Sequence, residues 1–299
     1  ISEHIETIRQ ADEIIFIGCG SAFLAAQVAS RAMEDIGRVK SRAINAGELQ
    51  YQNPVITERT VIVAISQSGE TADTLGCIKV LKDKAAAIIG IVNVVGSNIS
   101  KEVDSGIYIR AGREISVASS KALTNMIINC LMMAYLVGKD KISHLEYETF
   151  IQEIQLLPSL LEKVLSKEQN IQSLARQFAT YENMLCIGRG SLETIALEGA
   201  LKIKELSYIH AEGYSAAELK HGPLALVCPD ILTIALVGNN LLGQKMLGNI
   251  KEVITRDGPI LSVMSTASEE IENISTKTFH VPNMTNIYLQ GILYLGFLQ

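Results

Sequence analysis

The chain of 299 residues has no tryptophan, only six prolines, and no excess of basic charge: 26 lysines and arginines stand against 32 aspartates and glutamates, a formal net charge of −6. Without a basic stripe there is no electrostatic footprint for nucleic acid. Without a lysine-rich run there is none for an anionic membrane surface. The five cysteines (19, 77, 130, 186 and 228) are scattered, odd in number and never spaced as CxxC. They read as reduced thiols of a cytoplasmic protein rather than a disulfide framework. The five histidines have neither HxH nor HExxH spacing, so no metal site is indicated and no cofactor is called for. A membrane-length apolar run is also missing. The most apolar helical stretch, Ala122 to Val137, carries Asn125 and Asn129 and is shorter than the roughly 20 residues of a span, so it reads as a buried helix. The sequence starts at Ile1 and stops inside an apolar pattern, GILYLGFLQ, without a glycine cap, so both ends are expected to continue in a longer protein.

Hydrophobic residues make up 48% of the chain and glycines number 22. That is enough apolar material for one or two domains with sizeable cores, and it favours α/β layers. The organisation comes from an internal repeat. When Phe16 is laid on Cys186, FIGCGSAFLAAQ (16–27) falls on CIGRGSLETIAL (186–197). At the same offset NAGELQY (45–51) falls on SAAELKH (215–221), VIVAI (61–65) on ILTIA (231–235), and IIGIV (88–92) beside PILSVM (259–264). Four matches at one offset mean two copies of one unit. In the first copy strands are expected at Ile14–Ile17, Lys40–Ile44, Val61–Ile65, Ala87–Val92 and Gly106–Ile109. The middle ones are continuous apolar runs, as in parallel strands covered on both faces. Helical segments between them predict an α/β fold of two three-layer αβα units, each with a parallel sheet. The expected division is 1–142 for the first unit and 143–299 for a helical connector (about His144 to Tyr181) plus the second.

Two G-x-G turns, GCGS (18–21) and GRGS (188–191), each follow a strand and open a helix. A dinucleotide site needs a third glycine where Phe23 and Glu193 stand. The turns are either tight strand-to-helix returns or, at Ser21, a ligand contact. The turn SQSGET (66–71) follows the third strand of the first copy, at the sheet edge where open α/β folds bind ligands. Ser66, Ser68 and Thr71 supply hydroxyls, Gly69 lets the backbone turn, and the following helix offers amides to an anion. The P-loop spacing and its lysine are absent, so a phosphate monoester fits better than a nucleoside triphosphate. The alternative is a plain N-capping box, with Ser68, Thr71 and Asp73 capping the helix. The second copy has LVGNNL (236–241) here, without hydroxyls, so only the first copy would keep the cup. VASSKA (117–122) is either another helix cap or a wall of the same pocket.

Stepped at 100° per residue, a helix over 192–210 places Glu198, Lys202 and Glu205 within about 60° of one another. Ile195 and Leu206 flank them on one side, Leu201 and Tyr208 on the other, while Glu193 and Lys204 face the opposite, solvated side. An ordinary i,i+4 pair is one reading. A partly buried carboxylate–amine–carboxylate set tuned for proton transfer is the other, and it suits aldose–ketose isomerisation. His221, in a loop before Gly222-Pro223, is a candidate for opening a sugar ring.

SQSGETADT (66–74), VASSKA (117–122), ALEGALKIKELSYIHAE (196–212) and ELKHGPLALV (218–227) together closely resemble the isomerase half of the glutamine:fructose-6-phosphate aminotransferases, or glucosamine-6-phosphate synthases, a family with tandem sugar-isomerase (SIS) domains. The resemblance covers nearly the whole chain. It implies that Ser66, Gln67, Ser68 and Thr71 hold a sugar phosphate and that Ser21, Val117 and Ser119 contact the sugar. It implies that Glu205 moves a proton between C1 and C2, supported by Lys202 and Glu198. It implies a homodimer in which His221 reaches the site from the neighbouring subunit, and an N-terminal glutaminase domain in the full-length protein. Two departures stand out: Ala22 replaces a hydroxyl of the family's Cys-Gly-Thr-Ser, and the sequence stops before the family's lysine-bearing tail. The competing expectations are a stand-alone deaminase or deglycase of amino-sugar phosphates, and a non-catalytic sugar-phosphate sensor.

Overall fold

The computed structural model describes residues 2–299, which divide into two compact units with the boundary between Glu148 and Thr149. In chain order the first contains α1 (Ile5–Arg9), β1 (Glu13–Gly18), α2 (Ser21–Ala32), β2 (Ser41–Asn45), α3 (Ala46–Leu49), β3 (Thr60–Ser66), α4 (Ala72–Leu81), β4 (Ala87–Val92), α5 (Asn98–Glu102), β5 (Ser105–Tyr108) and α6 (Lys121–Gly138). The connector is α7 (His144–Leu165), inside which the division falls, and α8 (Glu168–Phe178). The second contains β6 (Asn183–Gly188), α9 (Ser191–Ser207), β7 (His210–Ser215), β8 (Ile231–Val237), α10 (Leu241–Ile254), β9 (Ile260–Met264), α11 (Glu269–Ile274), β10 (Lys277–His280) and α12 (Ile287–Leu298).

Each unit holds a five-stranded parallel sheet flanked by helices. The order is β2-β1-β3-β4-β5 in one and β10-β9-β8-β6-β7 in the other. Read from its β7 edge, the second sheet has the order of the first, so the repeat seen in the sequence is one topology used twice. The register follows it: Ile17 pairs with Ala64, and Ile187 with Ala235. The central strands β1, β3 and β4 are buried at every residue, because crossover helices cover both faces. The edge strands β2, β5 and β10 are only half-buried.

One expectation needs correction. The helix expected over 192–210 stops at Ser207, where Tyr208 adopts a left-handed conformation (φ 62°) and closes it. The chain then forms the edge strand β7. Gly213 makes this possible: a Cβ there would lie 2.5 Å from the backbone of Leu197 in α9, so only glycine lets strand and helix pack this closely. Helix α6 is long and apolar enough to pass as a membrane span by length and composition, but 61% of it is buried in the fold. Its Asn125 and Asn129 side chains donate to carbonyls one turn back, at 3.0 and 2.8 Å.

Candidate functional site

The two G-x-G turns are the same object. Gly20 has φ 56° and ψ −132°, and Gly190 φ 59° and ψ −129°. A Cβ on Gly18 would meet the backbone of Ala22 at 2.8 Å, and one on Gly188 the backbone of Leu192 at 2.2 Å. The first glycine thus admits the returning helix and the second supplies the left-handed turn. The copies differ in what lies over the turn. The space beside Gly20 is open, whereas a Cβ on Gly190 would strike Leu242 of α10. Ser21 is half-buried at the mouth of the open turn and Ala22 is packed against it.

The hydroxyl-rich turn behaves differently from a capping box. Thr71 occupies the N-cap position of α4, but its side chain makes no capping bond. Its hydroxyl instead pairs with Ser66 Oγ at 2.9 Å, and the Gly69 N–H donates to the same Ser66 oxygen at 3.0 Å. The Glu70 N–H donates to Ser68 Oγ at 3.1 Å. Asp73 is engaged sideways by Gln50 Nε2 at 3.0 Å. The amides at the start of α4 therefore carry no side-chain cap, which is the arrangement that receives an anion. In the second copy Asn240 caps α10 through its side chain, accepting from the Gly243 N–H at 3.1 Å. One turn is left open and its twin is filled. Ser66 is 2% exposed and braces Thr71 from below, while Gln67, Ser68 and Thr71 are half-buried at the rim.

The single carboxylate of the turn points away from it. Glu70 takes the Asn98 N–H at 2.8 Å and the Asn98 Nδ2 at 2.6 Å, and the Gly69 carbonyl takes the Ile99 N–H at 2.9 Å. This clasp to the first turn of α5 holds the Glu70 carboxylate away from the start of α4. Gly69 (φ 66°) lies against Ser97, whose Oγ would be 2.0 Å from a Cβ.

VASSKA does not cap its own helix either. Ser120 is the N-cap residue of α6 without a side-chain bond to it; the cap is Glu114, which accepts from Ser120 Oγ at 3.1 Å and from the Ala122 N–H at 3.0 Å. Nothing in local sequence spacing pointed to Glu114. Val117 is 92% exposed at the apex of this loop, and Ser119 Oγ is shielded from solvent without a hydrogen-bond partner among the described residues.

In the second unit, α9 brings the charged stripe together. Lys202 Nζ lies 3.1 Å from Glu198 Oε1 and 2.7 Å from Glu205 Oε2. The Glu198 and Lys202 side chains are each 2% exposed, whereas Glu205 is 30% exposed. Of the three, only Glu205 has a side open to solvent. The flanks differ from expectation, since Leu206 and Tyr208 are 53% and 90% exposed and Glu193 is half-buried. The stripe is closed off instead by neighbours such as α12, where Gly199 and Gly291 allow close approach to Leu298 and Ile195. The same unit has an apolar cavity of about 410 Å³ with Phe178, Leu206, Leu232 and Phe297 in its wall. Lys202 is its one charged wall residue and already bridges two carboxylates, so the cavity is unsuited to a phosphate ester. His221 ends a short 3-10 turn (Ala216–His221) rather than lying in an open loop, and its side chain is exposed. Among the described residues no hydrogen bond or ion pair joins it to the Glu198–Lys202–Glu205 set.

Two five-stranded parallel sheets of one topology, each flanked by helices, define a repeated α/β fold, and the SIS domain family model matches residues 7–136 and 177–299. The chain belongs to the SIS domain family. It is 38% identical over 283 residues to a glutamine–fructose-6-phosphate aminotransferase (isomerizing) of Chlorobaculum tepidum, a match that takes in 94% of this chain and 46% of that protein. The chain thus spans about half the length of the curated relatives it matches. The C-terminal domain of glucosamine-fructose-6-phosphate aminotransferase from Francisella tularensis superposes with a TM-score of 0.93 at 29% identity, covering all of this chain and 85% of that one. A glucosamine-6-phosphate deaminase of Thermotoga maritima shares the fold, with a TM-score of 0.77 at 23% identity over 99% and 85% of the two chains.

Proposed function

We propose that this chain carries the isomerase chemistry of a glutamine–fructose-6-phosphate aminotransferase, turning fructose 6-phosphate and ammonia into glucosamine 6-phosphate and water. Ammonia adds to the C2 carbonyl and water leaves, giving an imine. A base then takes a proton from C1 and returns it to C2, leaving an aldehyde at C1 and an amine at C2. Without ammonia the same proton shuttle interconverts fructose 6-phosphate and glucose 6-phosphate.

In this reading residues 1–142 hold the ester and residues 143–299 supply the acid–base groups. Gln67, Ser68 and Thr71 grip the phosphate with neutral donors, Ser66 acting through Thr71. Ser21, Val117 and Ser119 meet the sugar. Glu205 is the base, Lys202 fixes one of its oxygens, and Glu198 balances the buried ammonium. His221 opens the ring from the second subunit of a homodimer. In the full-length, cytoplasmic protein a glutaminase domain supplies the ammonia.

The observation that carries the reading is the ammonium of Lys202 held between a closed carboxylate and an open one, an arrangement a sugar-phosphate sensor has no need of. The names of the relatives support it. The test is conversion of fructose 6-phosphate to glucose 6-phosphate by the purified chain, with inorganic phosphate as competitor. Turnover inhibited competitively by phosphate is expected. Binding of the ester without turnover, in the dimeric protein, would leave the sensor reading in its place.

A further inference from the structure

We infer that Glu114 is a positioning residue that sets sugar recognition apart from phosphate recognition; the inference rests on the reading of the site given above. Several helices of the first unit start without a side-chain cap from their own N-cap residue, and two of them follow the hydroxyl-rich turns, α4 at Thr71 and α6 at Ser120. Each start presents backbone amides and the positive end of a helix dipole, which favour an anion. The chain treats them in opposite ways. The start of α4 is left with hydroxyls and amides. The start of α6 is occupied by the Glu114 carboxylate, with Oε1 on Ser120 Oγ (3.1 Å) and Oε2 on the Ala122 N–H (3.0 Å).

Two consequences follow. A carboxylate already seated on α6 denies that helix start to a phosphate and leaves the start of α4 to the ester. The same two bonds close residues 114–120 into a ring, whose inner hydroxyl is Ser119 and whose apex is Val117. Asn93, just past the end of β4, holds the other end of the loop: its Nδ2 donates to the Gly112 carbonyl at 2.7 Å and its Oδ1 accepts from the Ala111 N–H at 2.9 Å. Within the ring the Ala118 N–H donates to Ser116 Oγ at 3.2 Å. Val117 and Ser119 are thereby presented by a loop tied at both ends, and Glu114 is the tie nearest to them. No part of the phosphate turn 66–71 is bonded to Glu114, so its loss should be felt by the sugar and not by the phosphate.

The experiment is calorimetric titration of the chain and of Glu114→Gln with glucose 6-phosphate and, separately, with inorganic phosphate. The expected result is an affinity for glucose 6-phosphate about tenfold weaker, the size of one lost charge-assisted bond, with inorganic phosphate unchanged within about twofold. An unchanged affinity for glucose 6-phosphate overturns the inference, and so does an equal loss for both ligands with the fold intact by circular dichroism. If the unaltered chain binds neither ligand, it is the proposed function that fails. Should Glu114→Gln not fold, Ser120→Ala, which removes only the Oε1 bond, decides. A loss of about threefold confined to glucose 6-phosphate supports the role, and no loss, or one shared with phosphate, rejects it.

Discussion

Replacing Lys202 by Met tests whether the stripe on α9 is a buried electrostatic unit. Methionine keeps the length and apolar stem of the side chain and deletes the ammonium. Lys202 is 2% exposed and lies 3.1 and 2.7 Å from two carboxylates, of which Glu198 is equally closed to water. Without the ammonium, Glu198 is left as a desolvated charge with a second carboxylate on the same stripe. Removing one partner of a buried pair costs about 3–5 kcal/mol. At roughly 2–4 °C per kcal/mol for a unit of this size, thermal unfolding should fall by roughly 6–20 °C. Glu205→Gln leaves both buried groups paired with each other and acts on a side chain 30% exposed, so it should cost about 1 kcal/mol or less. The double change Glu198→Leu with Lys202→Met removes both buried charges and should regain most of the loss. Calorimetric melting of the four proteins gives the order. A Lys202→Met melting point within 2 °C of the original, or a double variant no better than the single one, refutes the reasoning.

Gly69→Ala combines a φ of 66° with a Cβ placed 2.0 Å from Ser97 Oγ, so affinity for inorganic phosphate should drop at least about tenfold; adding Ser97→Gly, which relieves the overlap but not the φ, should restore part of it. Thiol titration at pH 8 should modify only Cys19 and Cys228 in the native chain, since burial pushes Cys77 up to about 11 and Cys186 up to about 12 and raises Cys130 further; modification of all five without unfolding would contradict the packing. Burial also raises Tyr294 to about 12. For these groups the unfolded chain releases protons first, so their contribution is complete below about pH 9 and is lost as pH climbs through 11 and 12. Urea midpoints should therefore decline steeply between pH 9 and 12, and a flat profile there would count against it.

The repeat, the strand positions and the α9 stripe were legible in the sequence because each is a local periodicity. Continuous apolar runs gave β1, β3 and β4 nearly to the residue, and the Phe16-on-Cys186 offset anticipated two sheets of one topology. What the sequence concealed depends on partners distant along the chain. Glu70 bonds Asn98, and Glu114 bonds Ser120 and Ala122. A reader of spacing sees SQSGET and VASSKA as capping boxes, yet neither caps its own helix: the Thr71 hydroxyl turns to Ser66 in one case, and an upstream carboxylate serves the amides in the other. The end of α9 was misplaced for a related reason. HAEGYS has no strand signature, and it becomes β7 because Gly213 admits α9 and the β6 edge offers backbone partners. The apolar flanks assigned to Leu206 and Tyr208 failed because one lies on the last turn of α9 and the other beyond it.

The claim that matters most is that Glu205 carries a proton between neighbouring carbons of a hexose phosphate. Solvent exchange measures this directly: fructose 6-phosphate is incubated with the chain in deuterium oxide, and the hexose products are read by proton NMR. The account predicts deuterium at C2 of glucose 6-phosphate with the unaltered chain. With Glu205→Gln it predicts none, while glucose 6-phosphate affinity stays within about threefold. Exchange at the same rate in Glu205→Gln would contradict it.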